Sequence, residues 1–179
     1  MSRDDAKRQR EDTKLKANIS DNHEHEGFTV SLALVDALPV LLFGAAAVLL
    51  GLKLRSAVFF LGALVCLAAG TGKVIWKLLL ACRQRDVPLL GAQLRYLMPA
   101  GFLLMLIGAL TADRAVVRAL LASAVRLPSA LCFAGTVIGL AAMIVCARRF
   151  DRHDVRGNWI EQGVNAVAQG CALLGVLLL

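Results

Sequence analysis

Apolar runs long enough to cross a lipid bilayer recur along this chain of 179 residues. The hydrocarbon core of a bilayer is about 30 Å thick, and a helix needs roughly 20 apolar residues to span it. Soluble domains are about one quarter charged, whereas only 18% of this chain is charged and 58% is hydrophobic. The sequence therefore predicts an all-α, polytopic integral membrane protein whose first partner is the lipid bilayer.

Five transmembrane helices are expected, preceded by a polar tail. Residues 1–27 mix both signs of charge and offer almost nothing to bury, so they are predicted to form a flexible, disordered cytoplasmic tail. Residues 28–179 are predicted to form one membrane domain, a bundle with approximate spans at 28–52, 57–82, 96–112, 127–147 and 158–179.

The region around the third span leaves alternatives open. Pro99 suits the first turn of a helix that begins near Tyr96, but a helix that begins near Pro88 and passes through Pro99 is equally compatible. Residues 114–126 alternate arginines with apolar residues, and Asp113 precedes them. This pattern predicts a short amphipathic helix in the membrane interface, capped by Asp113.

Basic residues are distributed unevenly between the two sides of a five-span layout. Fifteen of the twenty lysines and arginines fall on the side of the N-terminal tail, and five fall on the other side. Trp76, Tyr96 and Trp159 lie at span ends on the basic side, where interfacial aromatic residues are common. The sequence thus predicts a plasma (inner) membrane protein with a cytoplasmic N-terminus and an external C-terminus.

Motifs of enzymes, metal sites and nucleic-acid-binding modules are missing. The five cysteines form no CxxC pair, no GxSxG or HExxH occurs, and His23 and His25 alternate in the tail without a third ligand. The net charge of +7 is accounted for by a basic face beside anionic headgroups. We therefore expect no enzymatic activity, no cofactor, no metal ion and no nucleic acid partner.

Polar side chains form a stripe along the fifth expected span. They fall within an arc of about 100° on one helix face, and they are Asn158, Glu161, Gln162, Asn165 and Gln169. Asn158 and Glu161 resemble a capping box at the start of the helix. Amides that face hydrocarbon are costly, so the three deeper residues point either to hydrogen bonds between helices or to a polar path.

Asp36 lies about 10 Å inside the first expected span, counted along the helix. A carboxylate at this depth is neutral, paired, or beside a water-filled cavity. Lys73 and Glu161 enter the membrane from the same side, so an Asp36–Lys73 ion pair is geometrically possible. The alternatives are a pair that holds two helices together, a carboxylate that handles a proton or cation, and an interfacial position if the span starts later.

Small residues are spaced for close helix packing. Gly62, Cys66 and Gly70 recur every four residues in the second span, and Gly135 and Gly139 form a GxxxG motif in the fourth. Such ridges let two helix backbones approach closely. They predict tight contacts within the bundle or, alternatively, between subunits of a homo-oligomer.

Two functions are compatible with these features. The first, which we favour, is a small transporter or channel subunit for an ion, a proton or a small solute, with the polar residues lining its path. The alternative is a membrane-embedded interaction or assembly protein whose polar fifth helix docks a membrane protein partner. An enzyme acting on a lipid or redox carrier ranks last, because all three histidines lie outside the spans.

Overall fold

The computed structural model describes residues 30–83, 88–149 and 155–179, so the predicted tail at 1–27 lies outside the described residues. These ranges contain helices and no strand. The all-α prediction is confirmed for them. In chain order the helices are α1 (Val30–Leu54), α2 (Ala57–Arg83), α3 (Pro88–Thr111), α4 (Arg114–Ala124), α5 (Ser129–Arg149) and α6 (Val155–Leu177).

Four of these helices are long and apolar enough to cross a membrane. The qualifying segments are Leu34–Leu54, Ala57–Leu79, Ala92–Thr111 and Ser129–Cys146, on α1, α2, α3 and α5. They correspond to the first four expected spans and are compatible with a membrane location. The fifth expected span lies on α6, which has 23 residues but does not meet the same criterion.

The helices pack in a row rather than in a closed ring. α2 and α3 form one antiparallel hairpin, α5 and α6 form another, and α1 packs against both α2 and α6. The order across the bundle is therefore α3, α2, α1, α6, α5. α4 contacts the bundle only slightly and contains no buried residue, as expected for a helix at an interface.

The small-residue ridge of α2 faces helices of the same chain. A Cβ added at Gly62 would lie 2.7 Å from the carbonyl oxygen of Gly101 on α3, and Cys66 packs against the same glycine. Gly70 instead faces α1, where Val40 fills the space beside it. These residues thus bring α1 and α3 close to α2.

The GxxxG motif of α5 faces α6. A Cβ added at Gly135 would lie 3.2 Å from the Cys171 sulfur, and one added at Gly139 would lie 2.6 Å from the Ala168 Cβ. The small residues that we singled out therefore serve contacts within the bundle.

Side-chain caps fix two of the connections. Ser56 accepts a hydrogen bond from the backbone N–H of Phe59 at 3.3 Å, which caps α2, and donates one to the carbonyl oxygen of Gly108 at 3.0 Å. Asp113 caps α4 as predicted, because its carboxylate accepts a hydrogen bond from the N–H of Ala115 at 2.7 Å. The two caps satisfy N–H groups that a helix start leaves without a partner.

One predicted helix start is wrong, and the structure decides between two that the sequence left open. α3 begins at Pro88 rather than near Tyr96, so the alternative with Pro99 inside the helix is the one adopted. α6 begins at Val155, one turn before Asn158, so Asn158 and Glu161 are not the capping box of this helix. Residues 155–157 contain no proline and simply extend the helix. The other helix ends lie within two residues of the expected span ends.

We expect Gly62→Ala to destabilise the protein by about 1–3 kcal/mol, because the new methyl group meets backbone atoms of α3 that cannot move aside. Gly163→Ala is the matched control, since nothing lies within 4 Å of a Cβ added there. The control should be neutral or gain about 0.5–1 kcal/mol from helix propensity. Melting temperatures measured in one detergent check this, and equal values for the two variants would contradict the packing described.

Candidate functional site

An ion pair between α1 and α2 lies at the end of the bundle where α1 begins and α2 ends, called here the charged end. The Lys77 ammonium donates a hydrogen bond to Oδ2 of Asp36. The two side chains are only 13% and 9% exposed. Burying a charge in an apolar bundle is costly unless an opposite charge pairs with it, so the pair is what allows Asp36 to lie inside α1.

The Asp36–Lys73 pair that the sequence allows is not the one formed, because Lys77 is the partner of Asp36 and Lys73 is exposed. The helical repeat explains the difference. Gly70 marks the face of α2 that packs on α1. Lys77 follows Gly70 by nearly two full turns and lies on the same face, whereas Lys73 is rotated about 60° away from it.

The second carboxylate oxygen of Asp36 has no such partner. Oδ1 is buried and accepts no hydrogen bond from the described residues. Buried polar atoms are nearly always hydrogen-bonded, and an unsatisfied one carries the full cost of its lost hydration. A hydrogen bond to Oδ1, from a neutral donor or from a cation, would therefore have an unusually favourable free energy.

Glu161 on α6 adds a third charge to this end of the bundle. Its half-buried carboxylate attracts the Lys77 ammonium electrostatically. Charged side chains from three helices, Asp36, Lys77 and Glu161, thus interact electrostatically at the charged end.

The deeper part of the polar stripe continues from Glu161 along α6. Gln162, Asn165 and Gln169 are all half-buried. The amide of Gln169 donates a hydrogen bond to Oδ1 of Asn165 at 3.4 Å, within one helix. No hydrogen bond from these three amides to another helix occurs among the described residues, and the side chain of Asn158 lies outside them. The interpretation of the stripe as residues that join helices by hydrogen bonds therefore stays a prediction.

Asn165 and Gln169 instead line a cavity of about 200 Å³ between α1, α2, α3 and α6. It starts one helical turn beyond Asp36, at Pro39 and Val40. The rings of Phe43 and Phe102, which are 5.8 Å apart, form its apolar wall together with Cys66 and Met98.

A second cavity of about 370 Å³ adjoins the first and shares Phe43, Phe102 and Gln169 with it. Apart from Gln169 and Thr136, its lining is apolar and comes from α1, α3, α5 and α6. The remaining lining residues are Ala46, Ala47, Leu50, Met105, Phe133, Leu140, Ala172 and Val176. The two cavities together are called the crevice.

Sequence reasoning missed Lys77 as the ion-pair partner, and it missed the crevice. The register of Lys77 with Gly70 was available as a signal, because two residues seven apart share a helix face. The crevice depends on α3 and α5 standing apart on either side of α1, and no local pattern encodes that distance.

Comparisons with known proteins give this site no precedent. The chain matches no protein-family model, and neither a curated protein nor a solved structure shows significant similarity to it. What the site does must therefore be inferred from its charges, its cavities and its helix contacts.

We expect Lys77→Met to destabilise the protein by about 3–5 kcal/mol, because it leaves the Asp36 carboxylate buried without its counter-ion. Lys73→Met is the matched control and should change stability by less than about 0.5 kcal/mol, since Lys73 is exposed. The double variant Asp36→Asn, Lys77→Met should recover most of the loss. Thermal unfolding in detergent measures all three, and equal losses for the two lysine variants would place the ion pair elsewhere.

Proposed function

We propose that this chain is a small transporter, or a transporter or channel subunit, that carries an ion, a proton or a small solute across the membrane. Asp36 carries the proposal: it is a carboxylate within a membrane-spanning segment, only 9% exposed, with one oxygen paired and the other unsatisfied. Ionisable groups within a membrane bundle are expensive, and they usually mark ion or substrate pathways. An ion pair that served packing alone would gain from satisfying both oxygens.

The proposed pathway leads inward from the charged end. Glu161, Asn165 and Gln169 follow each other at successive turns of α6 and cover about 12 Å along the helix axis. Asn165 and Gln169 face the crevice, so a solute that leaves Asp36 meets amide groups before it meets a purely apolar wall.

The same proposal includes a fifth crossing by α6. This helix has 23 residues, about 34 Å at 1.5 Å per residue, and it packs between α1 and α5, which both qualify as spans. With five crossings the basic residues divide fifteen to five. That bias supports a cytoplasmic N-terminus and charged end in a plasma (inner) membrane, with the C-terminus outside.

Reporter fusions test this topology. A reporter enzyme that is active only outside the cytoplasm should be active after Leu179 and inactive when inserted after Arg149, because α6 crosses between the two positions. Activity measured in intact cells gives the readout. If α6 does not cross, the two fusions report the same side, and the five-span arrangement is wrong.

Proteoliposomes test transport itself. Vesicles with the wild-type protein should show proton or monovalent cation flux well above empty vesicles, and Asp36→Asn should reduce it by at least about tenfold, the loss expected from one charge-assisted hydrogen bond. Asp113→Asn is the matched control, because Asp113 caps α4 on the surface. Absence of wild-type flux, with Asp36→Asn affecting stability only, would exclude the transport proposal.

One observation favours the alternative of an interaction or assembly protein. The described helices leave the crevice open between α3 and the α5–α6 hairpin, and an interhelical site of this kind has room for a partner. A stable complex with one membrane protein, or with a second copy of this chain, that Asn165→Leu disrupts would support this alternative. Asn165 is chosen because it lines the crevice.

A further inference from the structure

The lining of the crevice changes from partly polar to apolar along its length. Near the charged end it is bordered by the amides of Asn165 and Gln169, and beyond Gln169 its lining is apolar apart from Thr136. A hydrated ion needs polar groups or water around it throughout a membrane passage, because its desolvation is costly. The crevice therefore favours a solute with one polar end and an apolar remainder.

The length of the crevice fits one hydrocarbon chain. Its lining on α1 runs from Pro39 to Leu50, which is about 16 Å along the helix axis. This is about half of the roughly 30 Å hydrocarbon core, the depth that the chains of one lipid leaflet fill. Both cavities are partly open to the surroundings of the bundle, so such a chain can enter from the bilayer.

The buried carboxylate of Asp36 selects the polar head. Its Oδ1 atom accepts no hydrogen bond from the described residues, and a carboxylate oxygen forms a stronger hydrogen bond with a cationic donor than with a neutral one. A primary ammonium also has three N–H donors, one of which satisfies the unpartnered Oδ1 of Asp36 in a charge-assisted hydrogen bond.

We propose that the solute is a single-chain cationic amphiphile, an alkyl amine whose ammonium head binds Asp36 Oδ1 and whose chain lies in the crevice. This inference rests on the proposed transport function and narrows the class of its solute. As the head moves inward it meets the amide oxygens of Asn165 and Gln169 and then the Phe43 and Phe102 rings, whose faces attract cations.

Binding is tested with the full chain in nanodiscs of zwitterionic lipid, by counting bound ligands with native mass spectrometry. The probes share one chain and differ in the head: dodecylammonium, dodecanol and dodecyl sulfate. Dodecylammonium should bind at least about tenfold more tightly than the other two, as expected for one charge-assisted hydrogen bond. Asp36→Asn should remove this preference, whereas Asp113→Asn should retain it.

A matched pair of variants tests the position of the chain. Ala172 lines the crevice and Ala141 is exposed on α5, so Ala172→Leu should weaken dodecylammonium binding several-fold and Ala141→Leu should not. Butylammonium, whose short chain ends before Ala172, should be insensitive to both variants. These two alanine variants leave the Asp36–Lys77 ion pair unchanged, so they remain informative if Asp36→Asn fails to fold.

The outcomes separate this inference from the proposed function. Equal binding of dodecylammonium and dodecanol, or binding that Ala172→Leu does not change, would overturn the amphiphile proposal. If Asp36-dependent flux of protons or small cations is then still observed, transport stands with a different solute. If dodecylammonium binds as described but no solute crosses, transport is wrong and the amine site remains.

Discussion

A carboxylate inside an apolar helix bundle costs several kcal/mol unless an opposite charge pairs with it and hydrogen bonds satisfy both of its oxygens, and Asp36 meets this requirement only in part. Lys77 neutralises its charge and occupies one oxygen, while the other oxygen stays buried without a donor. The pair also fixes the register of α1 against α2, because the ammonium has to reach Asp36 from the face that Gly70 presents to Val40. The ion pair that holds α1 against α2 therefore also leaves Oδ1 of Asp36 without a donor.

The arrangement of the helices in a row determines which cavity lies beside the unsatisfied oxygen of Asp36. Small residues draw α2 against both α1 and α3, and α5 against α6, so each hairpin is tight. α1 is the only helix that packs extensively on both hairpins among the described residues. The hairpins therefore diverge on one side of α1, and the space between them is the crevice. Asp36 lies one helical turn from Pro39 and Val40, where the lining of the crevice begins.

Hydropathy alone predicts most of this fold, because the requirement for about twenty apolar residues per span leaves few other assignments. Four of the five expected spans correspond to helices that qualify by length and composition. Sequence reasoning put the start of α6 at Asn158, because Asn158 and Glu161 match a capping pattern. The helix in fact begins three residues earlier, at Val155. The site was harder to predict. Asp36 and the α6 stripe stand out as polar residues in apolar runs, but choosing Lys77 over Lys73 requires knowing which face of α2 meets α1.

The polar stripe on α6 is better explained by the crevice than by helix packing. Residues that joined α6 to a neighbour would bond across the interface, yet Gln169 bonds to Asn165 one turn away and both border open space. The contacts of α6 with α5 are made by small residues such as Ala168 and Cys171, which leave no room for amides there. Among the described residues, these two amides therefore bond to each other and border the crevice rather than a neighbouring helix. Asp36 likewise keeps one buried carboxylate oxygen without a donor among the described residues, and such an atom carries the full cost of its lost hydration.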